Sequence, residues 1–369
     1  MHRTLITAYC LLALCLSACL PDIFIAPALA SPSETSLFVY RFDSPAFVGY
    51  SEELQHTKEI PFSFPVSCGL YNAFPAPMGL FLAIELSCPN GQSVLFLDTE
   101  IGTITLPFTE TDSHFLAWAP DGRSAYLKVD SLSNPQIVRA YVSGAKDIIP
   151  ITEFTYDLST KPDSNDFIFT FSRGLGYGSE LYLAQNGGRE TQLLYIDQSN
   201  YISFARYSPD GEQIAFIKIP DSQTPFTVGE LWIIPSTVDS ADTASSSVQG
   251  GKFLAYADAG HGYAANWSPD GKQLAFVVRE NPENERANQS SDDLISNIYV
   301  VDVTSGELTQ VTFFDDGHVE TPYWSLTGNI LAFNVVINGR MQVHIADMAS
   351  GEIKPLETGP TCCPAWMRK

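Results

Sequence analysis

Two histidines stand in a repeated setting, and their spacing is the first indication of chemistry in this sequence. The string Asp-Ala-Gly-His ends at His261 and Asp-Asp-Gly-His ends at His318, each six residues before a tryptophan. Imidazole nitrogens and nearby carboxylates bind divalent metals and can also transfer protons. The pattern predicts a metal or acid/base site in which His261 and His318 are the nitrogen ligands. Asp258, Asp315 or Glu320 would supply the carboxylates.

The same strings also fit a purely structural role. Asp and Gly favour tight turns, and a repeat copies structural residues as readily as it copies ligands. The alternative is therefore a turn in which each histidine packs against the tryptophan that follows. His114 lies four residues before Trp118, and Tyr201 takes the equivalent place, six residues before Tyr207.

An internal repeat explains why these settings recur. The strings WAPDGRSAYL, YSPDGEQIAF, WSPDGKQLAF and the degraded WSLTGNILAF begin at Trp118, Tyr207, Trp267 and Trp324. Proline presets the first turn residue, Asp hydrogen-bonds the turn backbone, and Gly takes the positive φ that a side chain disfavours. Each turn is followed by an alternating apolar strand, so the repeat predicts a hairpin.

A second strand, turn, strand signature lies downstream of several of these hairpins, as in IYVVDVTSGELTQVTFF at 298–314. One unit therefore predicts a four-stranded antiparallel blade, and the chain predicts an all-β propeller. Seven blades are expected, with six as the alternative because the segment 36–64 is irregular.

The residue that begins each repeat string, or that takes the same place in a weaker copy, is here called a lead residue. The lead residues are Phe74, Trp118, Thr160, Tyr207, Trp267, Trp324 and Trp366.

The ring of blades should close through the N- and C-terminal strands. Too few residues follow Trp366 for three more strands, whereas the segment 36–64 contains strand-like runs that belong to no other unit. A C-terminal strand that completes a blade begun at the N-terminus would remove the open edge.

The aromatic-Ser-Pro-Asp-Gly turn followed by an Ala-Phe strand resembles the TolB-like and related WD-like extracytoplasmic propellers. The resemblance covers about residues 70–366. It implies a scaffold shared by many functions, because the motif itself is structural. Members of this broad group act as periplasmic or cell-surface interaction modules, as gates of serine peptidases, and occasionally as lyases on acidic sugars.

In a propeller the innermost strands begin on one face of the central channel, here called the rim face. This geometry predicts that His114, Tyr201, His261 and His318 approach the channel together. The long insertion 279–296 is expected on the same face, where it would form part of a binding surface. A second insertion, 235–251, is Ser-rich and is expected to form a mobile loop.

The N-terminus has the features of an export signal. Residues 1–19 contain a short apolar stretch that ends in Leu-Ser-Ala-Cys, which resembles a lipobox and predicts lipidation of Cys19. The alternative is cleavage after residue 30, at an A-x-A site, with release of the protein. With the signal ending at Cys19, residues 20–35 would be a linker and 36–369 a single propeller domain. Either cleavage predicts an extracytoplasmic location, at the bacterial cell envelope or secreted.

Four cysteines remain beyond the signal: Cys68, Cys88, Cys362 and Cys363. An even number in an oxidising compartment predicts structural disulfides. Bonds that join the C-terminal pair to the two early cysteines are preferred, although four cysteines permit three pairings.

The charge balance narrows the partners. The chain has 20 Lys and Arg against 42 Asp and Glu, a net charge of −22. It therefore offers no basic surface for nucleic acid, and it would contact a membrane only through a lipid anchor.

The sequence predicts a monomeric binding module for a protein or glycan at the cell envelope. The alternative is a metal-dependent enzyme at the channel mouth, such as a lyase on acidic oligosaccharides. A divalent metal is the only cofactor that the residues indicate.

Overall fold

The computed structural model describes residues 35–108, 112–130, 135–151, 155–221, 227–237, 251–259, 261 and 263–368. The predicted signal, Cys19, both cleavage sites and most of the 235–251 insertion lie outside these residues. Within the described ranges the chain is all β apart from one 3-10 turn at Ser291–Asp293. No helix of the described part is long and apolar enough to cross a membrane.

The strands in chain order are β1 Thr35–Arg41, β2 Ala46–Tyr50, β3 His56–Pro61, β4 Gly69–Pro75, β5 Phe81–Cys88, β6 Gly91–Asp98, β7 Ile104–Thr105, β8 Asp112–Trp118, β9 Ser124–Asp130, β10 Pro135–Tyr141, β11 Lys146–Ile149, β12 Thr155–Thr160, β13 Phe167–Phe171, β14 Ser179–Gln185, β15 Glu190–Asp197, β16 Asn200–Tyr207, β17 Gln213–Pro220, β18 Thr227–Pro235, β19 Lys252–Ala259, β20 Asn266–Trp267, β21 Gln273–Arg279, β22 Ser296–Asp302, β23 Leu308–Gln310, β24 His318–Val319, β25 Tyr323–Trp324, β26 Ile330–Ile337, β27 Arg340–Asp347, β28 Ile353–Pro355 and β29 Thr361–Arg368.

The described strands form seven antiparallel sheets, which are the blades of a propeller. Blades 1 to 5 are β4–β7, β8–β11, β12–β15, β16–β19 and β20–β23; blade 6 is β24–β28, and blade 7 is β29 with β1–β3. The first strands of neighbouring blades contact one another, as β8 does with β12 and β12 with β16, which marks them as innermost. The predicted seven-bladed ring is confirmed, and the six-bladed alternative is wrong.

Strand β29 closes the ring by pairing with β1. Thr35 lies opposite Arg368, and Leu37 lies opposite Trp366. The C-terminal strand thus completes a blade that the N-terminal strands began, as predicted. This arrangement pairs the inner side of β1, which would otherwise be an exposed edge.

Three of the four lead tryptophans connect adjacent blades through their indole nitrogens. Each of these three indole N–H groups donates to a carbonyl oxygen on the innermost strand of the preceding blade, so these rings are structural rather than carbohydrate-stacking platforms. The bonds are Trp118 Nε1 to Phe74 O at 2.9 Å, Trp267 Nε1 to Arg206 O at 3.1 Å and Trp324 Nε1 to Asn266 O at 3.1 Å. The indole nitrogen of the fourth, Trp366, is buried without a hydrogen-bond partner among the described residues.

The Pro-Asp-Gly hairpins lie on the face opposite the rim face, here called the turn face. In the turn that follows Trp267, the Ser268 hydroxyl donates to Asp270 Oδ1 at 2.7 Å and accepts the Gln273 amide at 3.0 Å. Gly122 in an equivalent turn has φ +61°, and a Cβ there would lie 2.0 Å from the Met78 carbonyl oxygen of blade 1. The repeated residues therefore satisfy their own turns and allow neighbouring blades to approach closely.

All four predicted cysteines are disulfide-bonded, but the preferred pairing is wrong. The bonds are Cys68–Cys88 and the vicinal Cys362–Cys363. Strands β4 and β5 pair with Gly69 opposite Ser87, which brings the preceding Cys68 across from Cys88. The register of one hairpin therefore determines the first bond, and the C-terminal cysteines bond to each other within β29.

Candidate functional site

The rim face contains a pocket of about 270 Å³ between blades 1, 5 and 6, here called the rim pocket. Blade 1 contributes two residues near the start of β4, and the insertion 279–296 contributes Ser291. The lining is rich in tyrosine and amide side chains and contains one carboxylate. The lining residues are Tyr71, Asn72, His261, Tyr263, Ser291, His318, Glu320, Thr321, Tyr323 and Asn334.

A larger cavity of about 670 Å³ occupies the channel beside the rim pocket. Tyr71, Asn72, Thr321 and Tyr323 line both spaces, so the two adjoin. A ligand bound in the rim pocket could therefore extend into the channel. The charged and titratable residues of the channel cavity include Glu85, His114, Lys128, Asp157 and Arg206.

A buried carboxylate holds one of the two predicted histidines. Asp258 Oδ2 lies 2.8 Å from His261 Nδ1, and both side chains are almost fully buried. Burial raises the pKa of the Asp258 carboxyl, and this effect is opposed by the hydrogen bond to His261 and by the charge of Arg279. A carboxylate on one imidazole nitrogen orients the ring, as it does for catalytic and metal-binding histidines.

The second predicted histidine lines the same pocket and contacts the first through a tyrosine. The Tyr263 ring stacks with the imidazole of His261 at a centroid distance of 5.8 Å and with that of His318 at 6.4 Å. His318 is buried. Neither histidine belongs to a group of three possible metal ligands among the residues that the structure describes.

Glu320 is the carboxylate of the rim pocket. The Asn334 side-chain amide donates to Glu320 Oε2 at 2.7 Å, and the Glu320 backbone amide donates to the Asn334 carbonyl at 3.0 Å. Burial raises the pKa of the Glu320 carboxyl, and the amide hydrogen bond opposes this effect. Asn334 Oδ1 also accepts the backbone amide of Cys363, so the vicinal disulfide supports the orientation of this amide.

His114 lies in a separate cluster on the channel wall. Its Nδ1 is 3.0 Å from Gln92 Oε1 and 3.5 Å from Glu85 Oε1, and its Nε2 is 3.4 Å from Asp112 Oδ1. The hydrogen bond with Glu85 raises the pKa of His114, whereas burial raises the pKa of Glu85. Asp112, His114 and Asp130 are the one trio of possible metal ligands in the described ranges, with atoms within 4.8 Å of one another.

Two predicted rim residues lie apart from both cavities. Asp315 is exposed and lines neither space. Tyr201 packs edge to face on Tyr156 at 6.4 Å and does not reach the rim pocket. Conversely, Tyr71, Tyr263 and Asn334 line the pocket although the sequence did not predict them. Of these three residues, only Tyr263 could have been found from the sequence, because it follows the candidate residue His261 by two positions.

No protein-family model matches this sequence, and no curated protein matches it either. The fold is nevertheless similar to solved β-propeller structures. TolB from Acinetobacter baumannii is 17% identical with a TM-score of 0.50, and the match covers 90% of this chain and 82% of that one. An oligogalacturonate lyase in complex with manganese is 11% identical, TM-score 0.56, over 86% and 92% of the chains. A puromycin hydrolase is 12% identical, TM-score 0.59, over 89% and 53%.

At these identities the similarity shows the fold and no more. The chain is a seven-bladed β-propeller with a polar pocket at one end of its channel. More particularly, it has the TolB-like propeller fold, which confirms the resemblance carried by the Pro-Asp-Gly repeats.

Proposed function

We propose that this protein is an exported β-propeller that binds a protein or glycan partner at the cell envelope through its rim face. The observation that supports the proposal is the rim pocket together with the adjoining channel cavity. Concave sites with a few convergent polar groups on a rigid scaffold are the usual form of a binding site. The exposed Tyr71 ring, 61% accessible, lies at the border of the two spaces and offers a contact surface.

Two features support the proposed location. The N-terminal sequence has a lipobox at Cys19, and the folded domain contains two disulfide bonds, which persist in oxidising compartments. We infer a monomer anchored by the lipid on Cys19. Replacing Cys19 with Ser should move the protein from the membrane fraction to the soluble fraction. A mature N-terminus at Ser31 in the wild type would instead favour the released form.

Site-specific photo-crosslinking in living cells tests the binding face. Benzoylphenylalanine at Tyr71 should give an adduct upon irradiation, because this position borders the rim pocket. The control position is Ile148, which is equally exposed, at 67%, but lies on the outermost strand of blade 2. Adducts of equal intensity at both positions, or at Ile148 alone, would contradict recognition through the rim face.

A metal-dependent enzyme at the same rim is the second candidate function. It is favoured by the buried Asp258–His261 pair, whose 2.8 Å bond orients an imidazole at the pocket wall. The oligogalacturonate lyase that shares the fold was solved with manganese. The donor set here fits such a metal poorly, because neither His261 nor His318 belongs to a group of three possible metal ligands among the described residues.

The electrostatics of the channel also disfavour an acidic oligosaccharide substrate. The two cations of the cavity are already paired, Arg206 with Asp157 at 2.8 Å and Lys128 with Asp130 at 3.4 Å. Elemental mass spectrometry after exposure to Mn²⁺ and Zn²⁺ tests the candidate. A near-stoichiometric metal that is lost in the double variant His261→Ala and His318→Ala would support the enzyme, and metal-free protein in both cases would rule out this site.

A further inference from the structure

We propose that the rim pocket binds an alkylammonium group, held by the Glu320 carboxylate and by the tyrosine rings around it. The end of a lysine side chain and a choline head group both present this chemistry. The inference rests on the proposed function, because it names the chemical group that the rim face would recognise.

The first observation is the charge of the pocket. Glu320 is the only Asp or Glu in the lining, and no Lys or Arg lines the pocket among the residues described. Its side-chain partner is the neutral amide of Asn334, and no ion pair with Glu320 occurs in the described part of the chain. A partly desolvated carboxylate is costly unless a cation compensates it. A ligand cation would supply that compensation.

The second observation is the arrangement of tyrosines around this carboxylate. Tyr71, Tyr263 and Tyr323 all line the pocket. Burial raises the pKa of each phenol, and the charge of Glu320 adds to this effect at all three. The three rings therefore lie within electrostatic reach of Glu320. Aromatic faces attract cations through their quadrupole, and sets of such rings recognise quaternary and alkylated ammonium groups. Tyrosine rings beside a carboxylate are thus the chemistry that an alkylammonium group requires.

The size and surroundings of the pocket fit a small cationic head group. Its 270 Å³ is near the lower end of the range of roughly 300 to 1,000 Å³ for ligand pockets. The rest of a longer ligand would occupy the adjoining channel cavity of 670 Å³. The net charge of −22 raises the local concentration of cations and repels anions.

Calorimetric titration of the mature protein with matched pairs of small probes tests the proposal. One pair is choline and its uncharged shape match 3,3-dimethylbutan-1-ol, and the other is n-butylammonium and butan-1-ol. At least one cation should bind saturably and about tenfold or more tighter than its alcohol, the factor expected for a contact to a charged group. The better cation identifies the source, with choline indicating a head group and butylammonium a lysine side chain.

Two variants assign the binding to the rim pocket. Glu320→Gln keeps the size of the side chain and should abolish the preference for the cation, while Glu307→Gln, an exposed position on the turn face, should retain it. Tyr71→Ala removes an exposed ring and should weaken the cation about threefold, the value of an exposed cation–π contact. Thermal unfolding of each variant verifies that it is folded.

The outcomes separate this proposal from the proposed function. Equal affinity for cation and alcohol, or a preference that survives Glu320→Gln, overturns the ammonium site. If Tyr71 still gives its photo-adduct in that case, the rim face binds a partner of other chemistry. Cation binding that depends on Glu320 without any Tyr71 adduct would support the ammonium site and contradict the larger recognition surface.

Discussion

The two faces of this propeller are built on different principles. On the turn face the same residues recur from blade to blade, and each turn satisfies its own hydrogen bonds, as Ser268 and Asp270 do. On the rim face the segments differ: the half-buried Glu320 lines the rim pocket, and the buried Asp258 holds His261, which also lines it. Repetition on the turn face therefore indicates structure, whereas the rim pocket combines the repeated His261 and His318 with residues that do not recur.

Histidines illustrate the same contrast within the rim face. His261 is oriented by one buried carboxylate, Asp258, whereas His114 is surrounded by Glu85, Asp112 and an amide. Histidines that lie six and four residues before a lead residue therefore have different surroundings. The repeat places both near the start of a blade but leaves the side-chain chemistry to each blade.

The largest expected effect comes from removing a lead tryptophan. Trp118→Ala should lower the free energy of unfolding by about 3 to 5 kcal/mol, because it deletes a buried indole. It also leaves the Phe74 carbonyl without its 2.9 Å donor. Chemical denaturation measures this loss of stability.

Trp118→Phe is the matched control and should lose less of the free energy of unfolding, since it keeps most of the packing. A loss below about 1 kcal/mol for Trp118→Ala would show that this tryptophan is not structural.

An intermediate effect should distinguish two glycines at the same turn position. Gly122 and Gly328 both have positive φ, so alanine at either should cost about 1 to 3 kcal/mol. A Cβ at Gly122 would also lie 2.0 Å from the Met78 carbonyl, whereas the nearest atom at Gly328 is 3.7 Å away. Gly122→Ala should therefore be clearly the more destabilising in urea titrations. Equal costs would indicate that the turns, not the contacts between blades, limit the stability of this face.

The smallest expected effect is a pH dependence on the rim face. Burial raises the pKa of Glu320, so the folded protein binds this proton more tightly than the unfolded chain does. The stability from this group is present below its unfolded pKa and is lost as the pH rises through the folded pKa. Glu320→Gln removes that loss, so the variant should become more stable relative to the wild type as the pH rises from 4 to 8.

Thermal unfolding at both pH values measures this difference. Glu307→Gln, which is exposed on the turn face, should follow the wild-type profile. A profile for Glu320→Gln that is parallel to the wild type would mean that the Glu320 carboxylate is compensated in the folded protein, and would weaken the ammonium proposal as well.

Much of the fold was predictable from the sequence because the repeat is local. The Pro-Asp-Gly turns and the strands after them lie within about ten residues of each lead residue, a distance over which sequence patterns and structure correspond closely. Ring closure was also predictable, since Trp366 lacks three following strands and 36–64 supplies them. The pairing of Cys68 with Cys88 was not, because it depends on the register of β4 and β5.

The rim pocket could be predicted only in part, because its lining residues come from distant parts of the chain. Its walls come from blades 1, 5 and 6, whose residues Tyr71, Tyr263 and Asn334 lie far apart in the chain. Tyr71 and Asn334 belong to neither histidine string, so no spacing in the sequence reveals that they meet Tyr263. The His261 and His318 strings could be recognised because they do recur, and Asp315 was included for the same reason although it is exposed.

The pairing of β29 with β1 also has a consequence for the order of folding. Each of the other blades is assembled from strands close in sequence, whereas Leu37 must find Trp366 across almost the whole chain. Contacts of such high sequence separation carry a loop-closure entropy that local hairpins avoid, and they slow folding. We therefore expect blade 7 to be the last to form, and until it forms the blades would be an open arc whose two ends are available for other pairings.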